Sequence, residues 1–301
     1  MSSNVRAVLQ ALFVTFLWST SWVLIKFGLA EIPALTFAGL RYGLAFALLL
    51  PLLARPRQRS ALRRLSRRDW RLLAALGVVM YGLTQGAQFL ALDRLPAQTT
   101  SLVLSFSPIL VALLAASTLG ERPTRWQGLG VLLAVVGAVV FLYPASFQRG
   151  QVIGLVIAAV GVAANAGAAV LGRYVNRSGV IPATVVTLVS MGVGTVVLLG
   201  SGLAAQGLPA LSARGWLIVG WLAAVNTAFA FTLWNVTLRR LSALESSVIN
   251  NTMLIQIAVL AWVFLGERLS AVQVGALLLA SGGTLLVQLG GRRERGVCWV
   301  K

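Results

Sequence analysis

Tyr81, Gln85 and Gln88 stand at i, i+4 and i+7 in "YGLTQGAQ", a spacing that puts all three on one face of a helix. Each amide carries both donors and an acceptor. Such a face can hold a carboxylate through its N–H groups and an ammonium through its carbonyls, while the phenol ring offers an apolar surface. A shift of 146 residues places these three on Thr227, Phe231 and Trp234. The same shift places Ser101 and Ser105 on Ser247 and Asn251. Trp18 and Trp22, again i and i+4, and Asn165 complete the candidate binding residues. The chemistry these types support is reversible recognition of a solute of little net charge.

Covalent and metal chemistry are poorly supplied. The chain has no histidine and one cysteine, Cys298, which removes the commonest general base and metal ligand and any intrachain disulfide. Its seven acids, Glu31, Asp69, Asp93, Glu121, Glu245, Glu267 and Glu294, are scattered rather than paired. No enzyme activity, cofactor or metal is therefore expected; a polytopic membrane enzyme would need acids and bases clustered at one face. The formal net charge of +18 does not point to nucleic acid, because the arginines lie between long apolar runs and form no continuous basic domain.

Those runs define the elements. Of 301 residues, 58% are hydrophobic and 11% charged, against about 25% charged in ordinary globular chains. A bilayer core needs about 20 mostly apolar residues per helix. Ten segments qualify: 6–27, 34–54, 70–91, 98–118, 124–143, 150–172, 182–204, 214–236, 244–264 and 270–289. The predicted fold is an all-α polytopic membrane protein. The long connection, Arg55–Arg71, carries eight arginines. With the N-terminus cytoplasmic, 19 basic residues fall inside, 5 outside and one, Arg41, within a span. The excess of basic residues in cytoplasmic loops predicts both termini inside. The expected partners are the lipid bilayer and a small-molecule substrate. No signal peptide is expected, because the first run is interrupted by Thr15, Ser19, Thr20 and Ser21 and ends in Lys26.

The chain also repeats itself. "TLGERP" at Thr118–Pro123 returns as "FLGERL" at Phe264–Leu269; "LDRLPAQTTS" (Leu92–Ser101) lies on "LRRLSALESS" (Leu238–Ser247), Gln127 on Gln273 and Gly137 on Gly283. Near the start of each half, "IPA" at Ile32–Ala34 matches Ile181–Ala183 at a shift of 149. The expected organisation is a five-helix repeat over 1–146, a second over 147–291 and a short basic cytoplasmic tail over 292–301. Five is odd, so the second repeat must enter the membrane inverted, an architecture of secondary transporters whose site lies near the midplane.

The ten spans, the paired "GER" after the fourth span of each half, and "RYGLA" (Arg41–Ala45) resemble the drug/metabolite transporter superfamily of EamA type. Within it the chain is most similar to YddG-type exporters of aromatic and other amino acids. The resemblance implies export by alternating access at the bacterial inner membrane. One departure is that Ser190–Met191 stands where the first half has Arg41–Tyr42. Small multidrug exporters of the superfamily use a membrane-embedded glutamate in the first span, where this chain has Trp18 and Trp22. Proton coupling through such an acid is therefore not expected. Sugar-phosphate translocators need several cavity cations, and here there is one. A zwitterionic amino acid fits a neutral cavity of amides, hydroxyls and rings; another neutral metabolite or drug is the alternative.

Three further expectations concern single residues. Pro108, within "SFSPIL", removes a backbone donor and predicts a hinge; its mate is Leu254, so the bend need not be symmetric. Arg41 is expected to be structural, with carboxylate binding as the other reading. Gly120 and Gly266 should end helices. The glycines of 128–137 and 275–283 permit close packing within or between chains; a monomer is compatible with them.

Overall fold

The computed structural model describes residues 3–119, 124–143, 148–177, 181–237, 241 and 249–290. Gly120, Glu121, Ser247 and the tail 292–301 lie outside them. Among the described residues the structure is helical without strands. Helix α1 is Ser3–Leu29, α2 Ala34–Leu49, α3 Pro56–Arg63 and α4 Arg67–Arg94. Then follow α5 Ala97–Leu104, α6 Ser107–Leu119, α7 Arg125–Leu142, α8 Arg149–Arg177 and α9 Ala183–Gln206. The series closes with α10 over 213–237, α11 Met253–Leu265 and α12 Ala271–Gly290. Six described helices are long and apolar enough to cross a bilayer: 6–29, 34–54, 67–94, 125–142, 149–176 and 183–206. The arginine-rich connection is not a plain loop. Pro56 opens α3, and Ser66 and Asp69 cap α4 reciprocally, so the basic segment is a short helix between two spans.

The chain forms two compact units, 1–23 with 95–155 and 232–301, and 24–94 with 156–231. Each draws on both halves of the sequence. In the first unit α7 packs along α12, its mate at the 146 shift. A Cβ added to Gly137 would lie 2.6 Å from the Ala280 nitrogen, and one on Gly130 2.7 Å from the Gly283 carbonyl oxygen. The glycines thus bring two helices of one chain into backbone contact. In the second unit α2 packs along α9, its mate at the 149 shift, with Gly39 against Leu199 and Gly202 against Thr36. Phe37 and Phe89 meet edge to face at 5.2 Å in its core.

Helix starts and stops follow from side chains. Thr124 with Gln127, and their mates Ser270 with Gln273, form reciprocal capping boxes at the starts of α7 and α12. Gly266, at φ 69°, closes α11 in the left-handed region, with the Glu267 amide donating to the Ala261 carbonyl at 3.2 Å. The Glu267 carboxylate then accepts from the Ala97 and Gln98 amides at 2.8 and 3.1 Å. It thereby caps α5, where the helix dipole favours an anion. Glu31 accepts from both the amide and the hydroxyl of Ser212 at the start of α10.

The predicted fourth span is broken at Ser105–Phe106, between α5 and α6. Pro108 cannot donate to the Leu104 carbonyl, and the Ser107 hydroxyl takes that place at 2.8 Å. The interruption has a counterpart in the other half. Thr252, the mate of Phe106, interrupts the helix before α11, with its hydroxyl on the Ile249 carbonyl at 2.6 Å.

Candidate functional site

The second unit holds the most distinctive backbone. Helix α4 widens to i→i−5 hydrogen bonding over Val78–Gln85, and α10 does so over Ala224–Phe229. These stretches coincide at the 146 shift. Each contains a threonine whose hydroxyl reaches five residues back: Thr84 to the Val79 carbonyl at 2.9 Å, Thr227 to the Leu222 carbonyl at 2.8 Å. Widened turns of this kind are rare and concentrate at functional sites. Tyr81 and Gln85 lie in the α4 stretch and Thr227 in the α10 stretch, so three predicted residues fall on these segments.

Their environments differ. Tyr81 is buried and meets Tyr42 edge to face at 5.3 Å. Gln85 and Gln88 are half-buried, and neither bonds to a described residue. An amide shut away from water needs partners; these two keep their donors and acceptors available. Thr227 is fully buried. Its hydroxyl proton points to Leu222, so its oxygen accepts from Arg41 Nε at 3.1 Å. Asn165 is exposed on α8.

In the first unit, Trp18 and Trp234 come together, ring centroids 5.2 Å apart and tilted by 53°. Trp22 is buried one turn further on. Ser105 donates to the Leu102 carbonyl at 2.6 Å, at the break before α6. Asn251 has its amide engaged: Nδ2 donates to the Ser281 carbonyl and hydroxyl at 2.8 and 3.0 Å, and Oδ1 accepts from Thr284 at 3.2 Å. It ties its segment to α12.

One polar cluster escaped sequence reasoning. Gln256 Nε2 donates to Thr252 and Thr15 at 3.0 and 3.3 Å, and Ser19 Oγ lies 2.9 Å from Gln256 Oε1. The signal was present as two polar pairs one helical turn apart, Thr15/Ser19 and Thr252/Gln256, inside apolar runs.

Comparison with known proteins places the family. Residues 5–143 and 146–289 each match the profile of the EamA-like transporter family. The chain is 25% identical over 296 residues to a protein of Escherichia coli (strain K12) named "Probable amino-acid metabolite efflux pump", covering 95% of each. It is 29% identical over 209 residues to the "Probable terminal-alkyne amino-acid exporter" of Streptantibioticus cattleyicolor, covering 67% of this chain and 68% of that one. A solved crystal structure shares the fold with a TM-score of 0.67 at 24% identity, over 96% of this chain and 99% of the other.

Proposed function

Because the chain belongs to the EamA-like transporter family, we propose that it exports neutral, zwitterionic amino acids across the bacterial inner membrane by alternating access. Ten spans cross the membrane as two inverted five-helix repeats with both termini cytoplasmic, and the two halves exchange inward- and outward-open arrangements. The observation that carries the substrate class is the pair Gln85 and Gln88: half-buried, unbonded to described residues, and on a locally widened helix. Two such amides can meet polar groups of either sign, whereas a cationic drug would call for a fixed negative charge. The names of the two relatives support the same class. Among the described acids, Glu31, Asp69 and Glu267 each accept hydrogen bonds at a helix start, which favours movement down the substrate gradient without a proton relay.

Purified protein in liposomes tests this. Saturable counterflow of labelled neutral amino acids, undiminished when the pH gradient is collapsed, is the expected result. Counterflow of unrelated neutral drugs but of no amino acid overturns the substrate class. A requirement for the pH gradient overturns the uncoupled mechanism alone.

A further inference from the structure

We infer that Arg41 is the carboxylate anchor of the transport pathway and that Thr227 positions it; the inference rests on the amino-acid reading above. Arg41 lies about eight residues into the helix that follows Pro33, so ~12 Å along its axis, and it is only 4% exposed. A guanidinium has five N–H donors. Among the described residues Arg41 makes one hydrogen bond, from Nε to the Thr227 hydroxyl oxygen at 3.1 Å, and it pairs with no carboxylate. Its guanidinium carbon stands 5.3 Å from the Tyr42 ring centroid.

This is an unusual state for a cation at such depth. A buried charge is normally paired or bonded at most of its donors, because desolvation is otherwise uncompensated. Here only the Nε donor is engaged, and the two Nη nitrogens bond to no described residue. Those Nη groups form the end-on edge of the fork, the geometry that takes a carboxylate with two parallel hydrogen bonds. Thr227 makes that edge the available one. Its own proton goes to the Leu222 carbonyl at 2.8 Å, so its oxygen can only accept from Arg41, which fixes the plane of the guanidinium. The widened turn of α10 over Ala224–Phe229 holds Thr227 in that position. Tyr42, next in sequence, touches Tyr81, the first residue of the face that carries Gln85 and Gln88. A cationic anchor on α2 and neutral amides on α4 thus belong to one unit, a combination suited to the carboxylate and ammonium ends of an amino acid. The second half has Ser190 at the position of Arg41, so the chain carries one such anchor, as one substrate carboxylate requires.

The test is counterflow of labelled phenylalanine in liposomes, competed by unlabelled phenylalanine or by phenylalaninamide, which lacks the carboxylate. Wild-type protein should be inhibited by the acid at concentrations about tenfold or more below those of the amide, since hydrogen bonds to a charged group are the stronger kind. Arg41→Gln should bring acid and amide to parity, and Arg41→Lys should keep part of the preference. Thr227→Val should weaken the preference without abolishing it. Wild-type protein inhibited equally by acid and amide overturns the anchor alone. So does an Arg41→Gln protein that keeps the wild-type ratio. Because the wild-type comparison is decisive by itself, a variant that fails to fold does not shelter the inference. Wild-type protein that moves neither phenylalanine nor any other amino acid overturns the exporter reading, and the anchor with it.

Discussion

Gln88 and Asn251 carry the same functional group in opposite circumstances. Both are amides within apolar runs, and composition alone treats them alike. Asn251 makes three hydrogen bonds to Ser281 and Thr284; Gln88 makes none to described residues and is half-buried. Their substitutions should therefore separate stability from transport. Asn251→Ala leaves the Ser281 carbonyl and the Thr284 hydroxyl with one partner fewer, at a cost of about 1–3 kcal/mol. It should lower the melting temperature in detergent, while uptake per folded molecule stays near wild type. Gln88→Ala should leave the melting temperature unchanged and reduce neutral amino-acid counterflow about tenfold, as for one or two lost substrate hydrogen bonds of about 1 kcal/mol each. A melting-temperature loss at Gln88 with transport intact would reverse the assignment. Trp234, whose ring lies tilted against Trp18 at 5.2 Å, should behave as Gln88 does: Trp234→Ala lowers counterflow in the same assay.

Helix ends explain most of the polar repetition that stands out in so apolar a chain. Gln127 and Gln273 recur because each completes a capping box, and the second LGER recurs because Gly266 ends α11 while Glu267 caps α5. The acids near helix starts can be tested by pH. Hydrogen bonds from the Ser212 amide and then its hydroxyl hold the Glu31 carboxyl below its ordinary value of 4.5. A folded pKa below the unfolded one adds stability that is complete above the unfolded value and disappears as pH falls through the folded value. Glu31→Gln should therefore melt below wild type at neutral pH, and the difference should close as pH drops below 4.5. A difference that is constant down to acid pH would mean that the carboxylate is not the stabilising form. The apolar runs were legible because length and hydropathy announce a span. The widened turns over Val78–Gln85 and Ala224–Phe229 were not, since i→i−5 bonding leaves no periodic trace in residue type. Nor was the interruption at Thr252, because its threonine hydroxyl bonds the Ile249 carbonyl in a half that has Leu254, not proline, at the position of Pro108. The Arg41–Thr227 bond joins residues 186 positions apart, beyond anything local pattern can show.

At the scale of the molecule, mates pack on mates. Helix α7 lies along α12 and α2 along α9, so the compact units cut across the sequence halves instead of following them. Close approach depends on the missing Cβ at the contact and not on glycine as such. Gly137→Leu should destabilise the protein by roughly 1–3 kcal/mol, because its Cβ would fall 2.6 Å from the Ala280 backbone. Gly275→Ala, which meets open space, should be neutral or nearly so in the same melting assay. Two helices that correspond in sequence and pack along one another are what an approximate two-fold axis produces. Five spans per half would set that axis in the membrane plane, with opposite orientations for the two copies of LGER. On the proposed topology, Arg122 and the arginines of 55–71 face the cytoplasm, and Arg268, with Glu267 beside the start of α5, faces outside. In a Cys298→Ser background, a membrane-impermeant maleimide applied to intact cells should label Arg268→Cys at once. Arg122→Cys and Arg57→Cys should react only after permeabilisation. Arg268 is exposed and makes no part of the α5 cap, so its replacement leaves the joint intact. If Arg268→Cys and Arg122→Cys react alike from outside, the repeats are not inverted, and alternation between two mirrored bundles loses its structural basis.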